Sequence, residues 1–361
     1  MLSPAAIWNQ QLPGDVPLDP NSATYVATLA GGIKNLNFLY RDSSIPVVWA
    51  SETTPRQKVW VDVKDGTRPK LKGAFASVPL PSNLRPPGPF PGDNAVCICC
   101  RKSDGSVEYF EFFGMRQTTV DGVRTSAEVP ECSTLTEPGW HCLGGAAVKN
   151  LNLSPGYVTQ EDWPGGVDVG GGGNVTWGCS ASKTLLYHHT IKIDEAQRLH
   201  IPHALRLAIP KVLHRSEYRW PALGSDGTST DPSKPPTGAI LTFNASETFS
   251  DVSDPFVEAV CRAIRDYGLI LTDSTSTEGT NAALKCETQA TVTSSEAWGT
   301  DAWKGPENKI GSPGAILWEG NEATPANETA AIGNQIPLSR LKVVATSYRP
   351  ASVGAGNLGK G

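Results

Sequence analysis

Charge is sparse in this 361-residue chain: Asp, Glu, Lys and Arg together make up 19%, and the net charge is −5. No basic run is present, so the electrostatic footprint that phosphate backbones require is missing and nucleic acid is not an expected partner. No apolar run approaches the ~20 residues of a membrane span, which argues against membrane insertion. The opening residues, M-L-S-P-A-A-I-W-N-Q, lack the basic and apolar regions of a secretory signal. The expectation is a protein whose signal has been removed, or one released by lysis as a virion component is. A G-x-S-x-G elbow, a P-loop and a dinucleotide fingerprint are all missing, so no cofactor is expected. The contiguous glycines at 170–173 read as a loop and not as a phosphate cradle.

What the chain has instead is glycine (36), proline (29), tryptophan (10) and eight cysteines. Abundant turn formers with few helical stretches predict a mainly β protein, a β-sandwich or jelly-roll. One amphipathic helix stands out, over about 254–267. Asp254 can cap it, Pro255 fits its first turn, and Phe256, Val257, Val260, Cys261, Ile264 and Tyr267 recur at helical spacing before Gly268. Leu269–Leu271 then reads as a buried strand. A shorter helix is expected from Ser22 to Ile33, with Tyr25, Val26 and Leu29 inward. Residues 1–23, with prolines at 4, 13, 17 and 20, read as an extended arm that docks on a neighbouring subunit or lies across its own domain. Residues 24–361 read as a single β-rich domain. Strands are expected near 47–49, 58–63 and 185–193, at 239–243 and 343–347, and in a hairpin turned at Ser103-Asp104-Gly105.

The candidate chemistry is thin. His200 and His203 form an H-x-x-H that Pro202 interrupts, and the glutamate of the zinc-protease pattern is missing, so no metal site is expected. His203 reads either as a buried histidine fixing the backbone or as a general acid or base. Asp226 and Asp231 flank D-G-T-S-T-D-P, which serves equally as a turn or as a site for calcium or sugar hydroxyls. Either aspartate could form a glycosidase couple with Glu108, Glu111 or Glu131. His203, Asp226 and Asp231 are therefore the catalytic suspects. Trp220, Trp298, Trp303 and Trp318 lie in loop-like segments and are candidate platforms for sugar rings. An even cysteine count fits disulfides, with Cys132–Cys142 and Cys261–Cys286 as the first pairs to examine.

The stretch from Arg198 to Asp273 carries His203-Ala204-Leu205, Trp220-Pro221-Ala222, Asp226-Gly227-Thr228, Asp231-Pro232, Gly238-Ala239 and Tyr267-Gly268 with Asp273. In those blocks the chain resembles a family of proteins of actinobacteria and their phages, with minor-tail-like and secreted members. Leu12–Ala23, Ala74–Pro81, Trp163–Gly165, Trp177–Ser182 and Ile336–Val344 extend the resemblance over nearly the whole chain. It implies a virion or extracellular setting; joined to the missing secretory signal and the loop-borne tryptophans, it leads to the expectation of a minor tail or receptor-binding protein that recognises a cell-envelope polysaccharide, with other tail proteins as partners and room for a homo-oligomer. A carbohydrate-active enzyme and a purely structural subunit are the rival readings.

Overall fold

Local sequence chemistry sets three α-helices among the described residues: α1 (Ser22–Gly32), α2 (Ile193–Gln197) and α3 (Pro255–Tyr267). The computed structural model describes residues 6–39, 45–61, 73–82, 84, 95–118, 139–154, 156, 178–275, 280–288 and 333–350. In α3 the Asp254 carboxylate accepts the N–H groups of Phe256 (2.8 Å) and Val257 (3.1 Å). Gly268, at φ +101°, ends the helix. Two donors left free by the first turn are thus satisfied, and the chain reverses where a side chain would be strained. Tyr25, Val26 and Leu29 of α1 point inward as their spacing predicts.

The protein is mainly β. The larger sheet has six strands in the order Asn35–Leu39, Asn281–Lys285, Leu205–Ile209, Leu269–Ser274, Ile240–Thr242, Lys342–Val343. It is mixed: Leu205–Ile209 runs parallel to Leu269–Ser274 and antiparallel to Asn281–Lys285. The smaller of the two main sheets orders Gly144–Val148, Val107–Phe113, Val96–Arg101, Ile45–Ser51 and Glu287–Thr288, beside minor sheets of three strands (Val59–Val61, Gly139–Cys142, Arg116–Thr118) and two (Arg56–Gln57, Val78–Pro79). Its central hairpin turns at Gly105, where φ is +83° and Ser106 N–H binds the Asp104 carboxylate. The chain passes from the larger sheet into the smaller one through the single residue Cys286. A jelly-roll is antiparallel throughout. Parallel strands need long connections, and the one between Leu205–Ile209 and Leu269–Ser274 runs through Ile240–Thr242 and α3.

One face of the larger sheet carries Leu205, Leu207, Ile209, Leu269, Leu271, Ala282 and Leu284 into a core shared with α1 and α3. The opposite face is divided. At one end Ile240, Ile270 and Val344 pack under Trp8 and Trp220. At the other it faces the smaller sheet across a cavity. The described part of the N-terminal arm lies on its own chain: Trp8 is fully buried, Leu12 N–H binds Asp266 O, and Leu18 bridges Val344.

Two expectations are corrected. The tract 185–193 is not a strand. It forms a 3-10 turn at Tyr187–His189 and then enters α2, while Leu185, Leu186 and Tyr187 pack on the smaller sheet and Ile191 on the larger core. A segment buried from both sides has no alternation to reveal its conformation. Cys261 and Cys286 are not joined; both are buried free thiols that pack as small apolar groups in the core, as is Cys142 elsewhere. Cys132 lies outside the described residues.

Two glycines in the family-like blocks sit where no side chain fits. A Cβ on Gly227 would stand 1.8 Å from Leu213 O, and one on Gly238, at φ +90°, would stand 1.8 Å from Arg219 O. Gly238→Ala is expected to destabilise by at least about 3 kcal/mol, against about 1 kcal/mol for the cap variant Asp254→Ala. Urea unfolding of the two variants beside the parent checks both the order and the gap.

Candidate functional site

The division of the larger sheet's second face creates the site. Leu205, Leu207 and Ile209 alternate toward the helices, so Arg206 and Ala208 point the other way, toward the smaller sheet. A bulge shifts the register so that Ala208 lies opposite Asp273 and not Thr272. That single extra residue turns the Asp273 carboxylate onto the face of Arg206. The two form an ion pair, with Arg206 only 3% exposed.

The pair lies in a cavity of about 590 Å³ between the sheets. Lys285 and Ala283 from the adjoining strand, Ile45 and Phe113 from the smaller sheet, and Ser180, Lys183 and Leu186 from the 178–186 loop complete most of its wall. Asp226, Ser274 and Thr275 stand toward the outside. Asp226 accepts the Ser274 N–H (3.0 Å) and hydroxyl (2.9 Å). Asp273 accepts the Ala181 N–H (2.7 Å) and the Thr272 hydroxyl (3.0 Å) besides Arg206. Each carboxylate is therefore fixed by donors from a different segment.

The loop is held from behind by Glu111. Its carboxylate is fully buried on the smaller sheet and accepts Cys179 N–H (2.5 Å), Leu186 N–H (2.7 Å) and the Tyr109 hydroxyl (2.5 Å). Burial pushes the Glu111 carboxyl up, although those donors pull it down. The Cys179 thiol in the cavity wall is likewise pushed up, by burial first and then by Glu111. Burial pulls Lys183 down, with Cys179 and Asp226 opposing.

Of the three catalytic suspects, only Asp226 lines the cavity. Asp231 is an exposed turn residue whose carboxylate binds Ser233 N–H (2.9 Å) and hydroxyl (2.7 Å). His203 is 2% exposed; its ring nitrogens face Ala204 O at 2.8 Å and Glu195 Oε2 at 2.9 Å. It fixes the backbone. Glu108 pairs with Arg56 at 2.5 Å, on the strand face opposite Glu111, and Glu131 lies outside the described residues. Trp220 is 6% exposed, with the Arg349 guanidinium 4.7 Å from its ring centre, and so offers no free face. Trp298, Trp303 and Trp318 lie outside the described residues. An exposed indole does occur at Trp49, 47% exposed, with Arg101 over one face.

Arg206, Lys183, Lys285 and Phe113 were not singled out by sequence reasoning. A signal existed for two of them. Arg206 interrupts the apolar strand L-R-L-A-I, and Lys285 ends the strand N-A-A-L-K. Charged residues in such runs are rarely buried without a task.

A second polar system sits behind the 187–195 segment. Lys192 Nζ donates to Tyr187 O (2.5 Å), and Glu195 caps α2 through Lys192 N–H (2.9 Å) while pairing with His203. Burial raises the Glu195 carboxyl, but His203 and Lys192 outweigh it and hold it at about 2. A depressed carboxylate stabilises the fold fully above the ordinary glutamate value of ~4.3, and that stability is lost as pH falls toward the folded value. Glu195→Gln keeps the cap acceptor and loses the charge. It is expected to cost roughly 1–3 kcal/mol at pH 7, with the gap to the parent closing between about pH 4.5 and about pH 2. Urea midpoints across that range measure it.

No family model, no curated protein and no solved structure matches this chain.

Proposed function

We propose that the protein recognises a cell-envelope saccharide as a binding component of an actinobacterial phage tail, and that the cavity between its sheets receives the sugar. The observation that carries this reading is the set of fixed polar groups converging on one cavity. Asp226, Asp273 and Arg206 are each held by partners from the chain, and Ser274, Thr275 and Lys183 join them around about 590 Å³. That volume suits one or two sugar rings, and preset donors and acceptors at apolar walls are how such sites orient hydroxyls. Phe113, 37% exposed at the cavity, supplies an apolar face of the kind that rings stack on.

Binding is favoured over cleavage. Hydrolysis of a glycosidic bond needs a carboxyl that delivers a proton. The oxygens of Asp226 and Asp273 already accept N–H and O–H donors, which suits acceptors of fixed orientation. The virion setting rests on the family resemblance. It is supported by the seven cysteines among the described residues, all free and six of them buried, which suit assembly in a reducing cytoplasm better than oxidative secretion.

The test is retention of purified protein on actinobacterial cell-wall polysaccharide, with released reducing ends followed in parallel. The expected result is retention without new ends, weakened at least tenfold (about 1.4 kcal/mol) by Asp226→Asn and unchanged by Asp231→Asn. New ends that vanish in Asp226→Asn would make the protein a carbohydrate-active enzyme. Neither retention nor new ends would leave a structural tail subunit.

A further inference from the structure

Along the strand Ile45–Ser51, the side chains of Ile45, Val47 and Trp49 alternate onto one face of the smaller sheet. Ile45 lines the cavity and Val47 is buried, but Trp49 is 47% exposed. Its neighbours on that face are not: Cys99, opposite it in register, and Tyr109, opposite Cys99, are both fully buried. The indole is thus an apolar spot set among covered residues, and a single exposed ring needs no explanation by itself.

The second observation is that this ring is held and flanked by hydrogen-bonding groups. Arg101, two residues beyond Cys99 on the same face, brings its guanidinium 5.1 Å from the indole centre, and Tyr187 meets the ring edge-on at 6.3 Å. Arg101 has no ion-pair partner among the described residues. Ser51, the next residue on that face, and Thr53 in the turn after it are exposed, with their hydroxyl oxygens 2.9 Å apart. A protein partner wants an apolar centre within roughly 800 Å² per side, which one indole among buried neighbours does not supply. A sugar ring matches the indole in size, with C–H groups for its face and hydroxyls for the guanidinium and serine beside it.

We propose that Trp49 is a second subsite for the polysaccharide, a platform on which a sugar ring stacks over the face that Arg101 leaves open. This rests on the saccharide-binding reading above. Cavity and platform flank one segment: Leu186 stands in the cavity wall, and its neighbour Tyr187 touches the indole. Ile45 and Trp49 are four residues apart on one strand, about 13 Å. A chain of a few sugar units spans that distance, and engaging both sites adds avidity that a single sugar lacks.

The experiment is calorimetry of the full chain with actinobacterial cell-wall polysaccharide and with its partial-hydrolysis fragments sorted by length. Parent affinity is expected to rise with fragment length. Trp49→Ala is expected to remove that rise, weakening polysaccharide at least fivefold while mono- and disaccharides and the thermal midpoint stay as in the parent. Trp49→Phe keeps a ring and retains part of the gain, whereas Asp226→Asn weakens fragments of every length. Should Trp49→Ala not fold, the Trp49 indole N–H resonance, identified by its loss in Trp49→Phe, decides: it shifts with long fragments and not with disaccharides. Parent-like binding of polysaccharide by Trp49→Ala, or an unmoved resonance, overturns the subsite and leaves recognition in the cavity intact. Equal loss of short fragments in Trp49→Ala also overturns it, since the indole then acts on the cavity itself. If the parent binds neither polysaccharide nor fragments, the proposal and the function it rests on fall together.

Discussion

A guanidinium buried between two sheets is the constraint on which much of this architecture depends. Arg206 sits in an otherwise apolar strand, and a charge so placed costs several kcal/mol unless a partner meets it. Asp273 is that partner, and it reaches Arg206 only because the strand bulges before it. The same carboxylate accepts Ala181 N–H, which brings the 178–186 loop against the larger sheet. Glu111 then ties the other side of that loop to the smaller sheet through Cys179 and Leu186. From strand to bulge to loop to second sheet, each link satisfies a buried polar group left by the one before. The cavity is the space this chain of obligations holds open.

Where the sequence was legible, the signal was local. The helix at 255–267 announces itself because cap, proline, apolar period and terminal glycine agree. The hairpin at 103–105 and the stripe of Tyr25, Val26 and Leu29 were legible for the same reason. The tract 185–193 was misread because His188 and His189 are fully buried in a 3-10 turn, and β-branched and aromatic neighbours look like a strand when no face is wet. The cavity could not be read at all. Its wall comes from residues near 183, 206, 226, 273 and 285, and only tertiary register brings Asp226 to Ser274 across 48 positions. Tryptophan was a misleading guide for a related reason. Trp220 lies among turn formers, yet Ile240, Ile270 and Trp8 need an apolar lid and its indole supplies it.

The blocks that gave the family resemblance divide by role once they are placed. Gly227 and Gly238 allow close backbone approach, Gly268 ends α3, and His203 locks Glu195 to the backbone at Ala204. These maintain the fold. Asp226 and Asp273 alone among the quoted residues of the Arg198–Asp273 stretch face the cavity. Residues that keep the fold say little about function, since fold-keeping glycines serve whatever ligand the cavity takes.

Two electrostatic systems lie within a few residues of each other, and their difference decides which one can act on a ligand. Around Lys192 the charges are saturated by their own neighbours. Lys192 binds Tyr187 O and stands 4.5 Å from the Tyr187 ring centre, Glu195 meets His203 and Lys192 N–H, and Glu287 caps Ile193 N–H. Burial pushes the Glu287 carboxyl up to about 7, so its charge is the one least favoured there. Such a network contributes rigidity, and a ligand entering it would have to break a bond for each one it made. The cavity is built the other way. Its two carboxylates are fixed by backbone N–H and hydroxyl donors at the edge of an open volume with apolar residues in its wall. Preorganised but open polarity lowers the cost of ordering a bound ligand. It is the physical reason to place recognition at Arg206, Asp226, Asp273 and Lys183 and to leave the histidines to the fold.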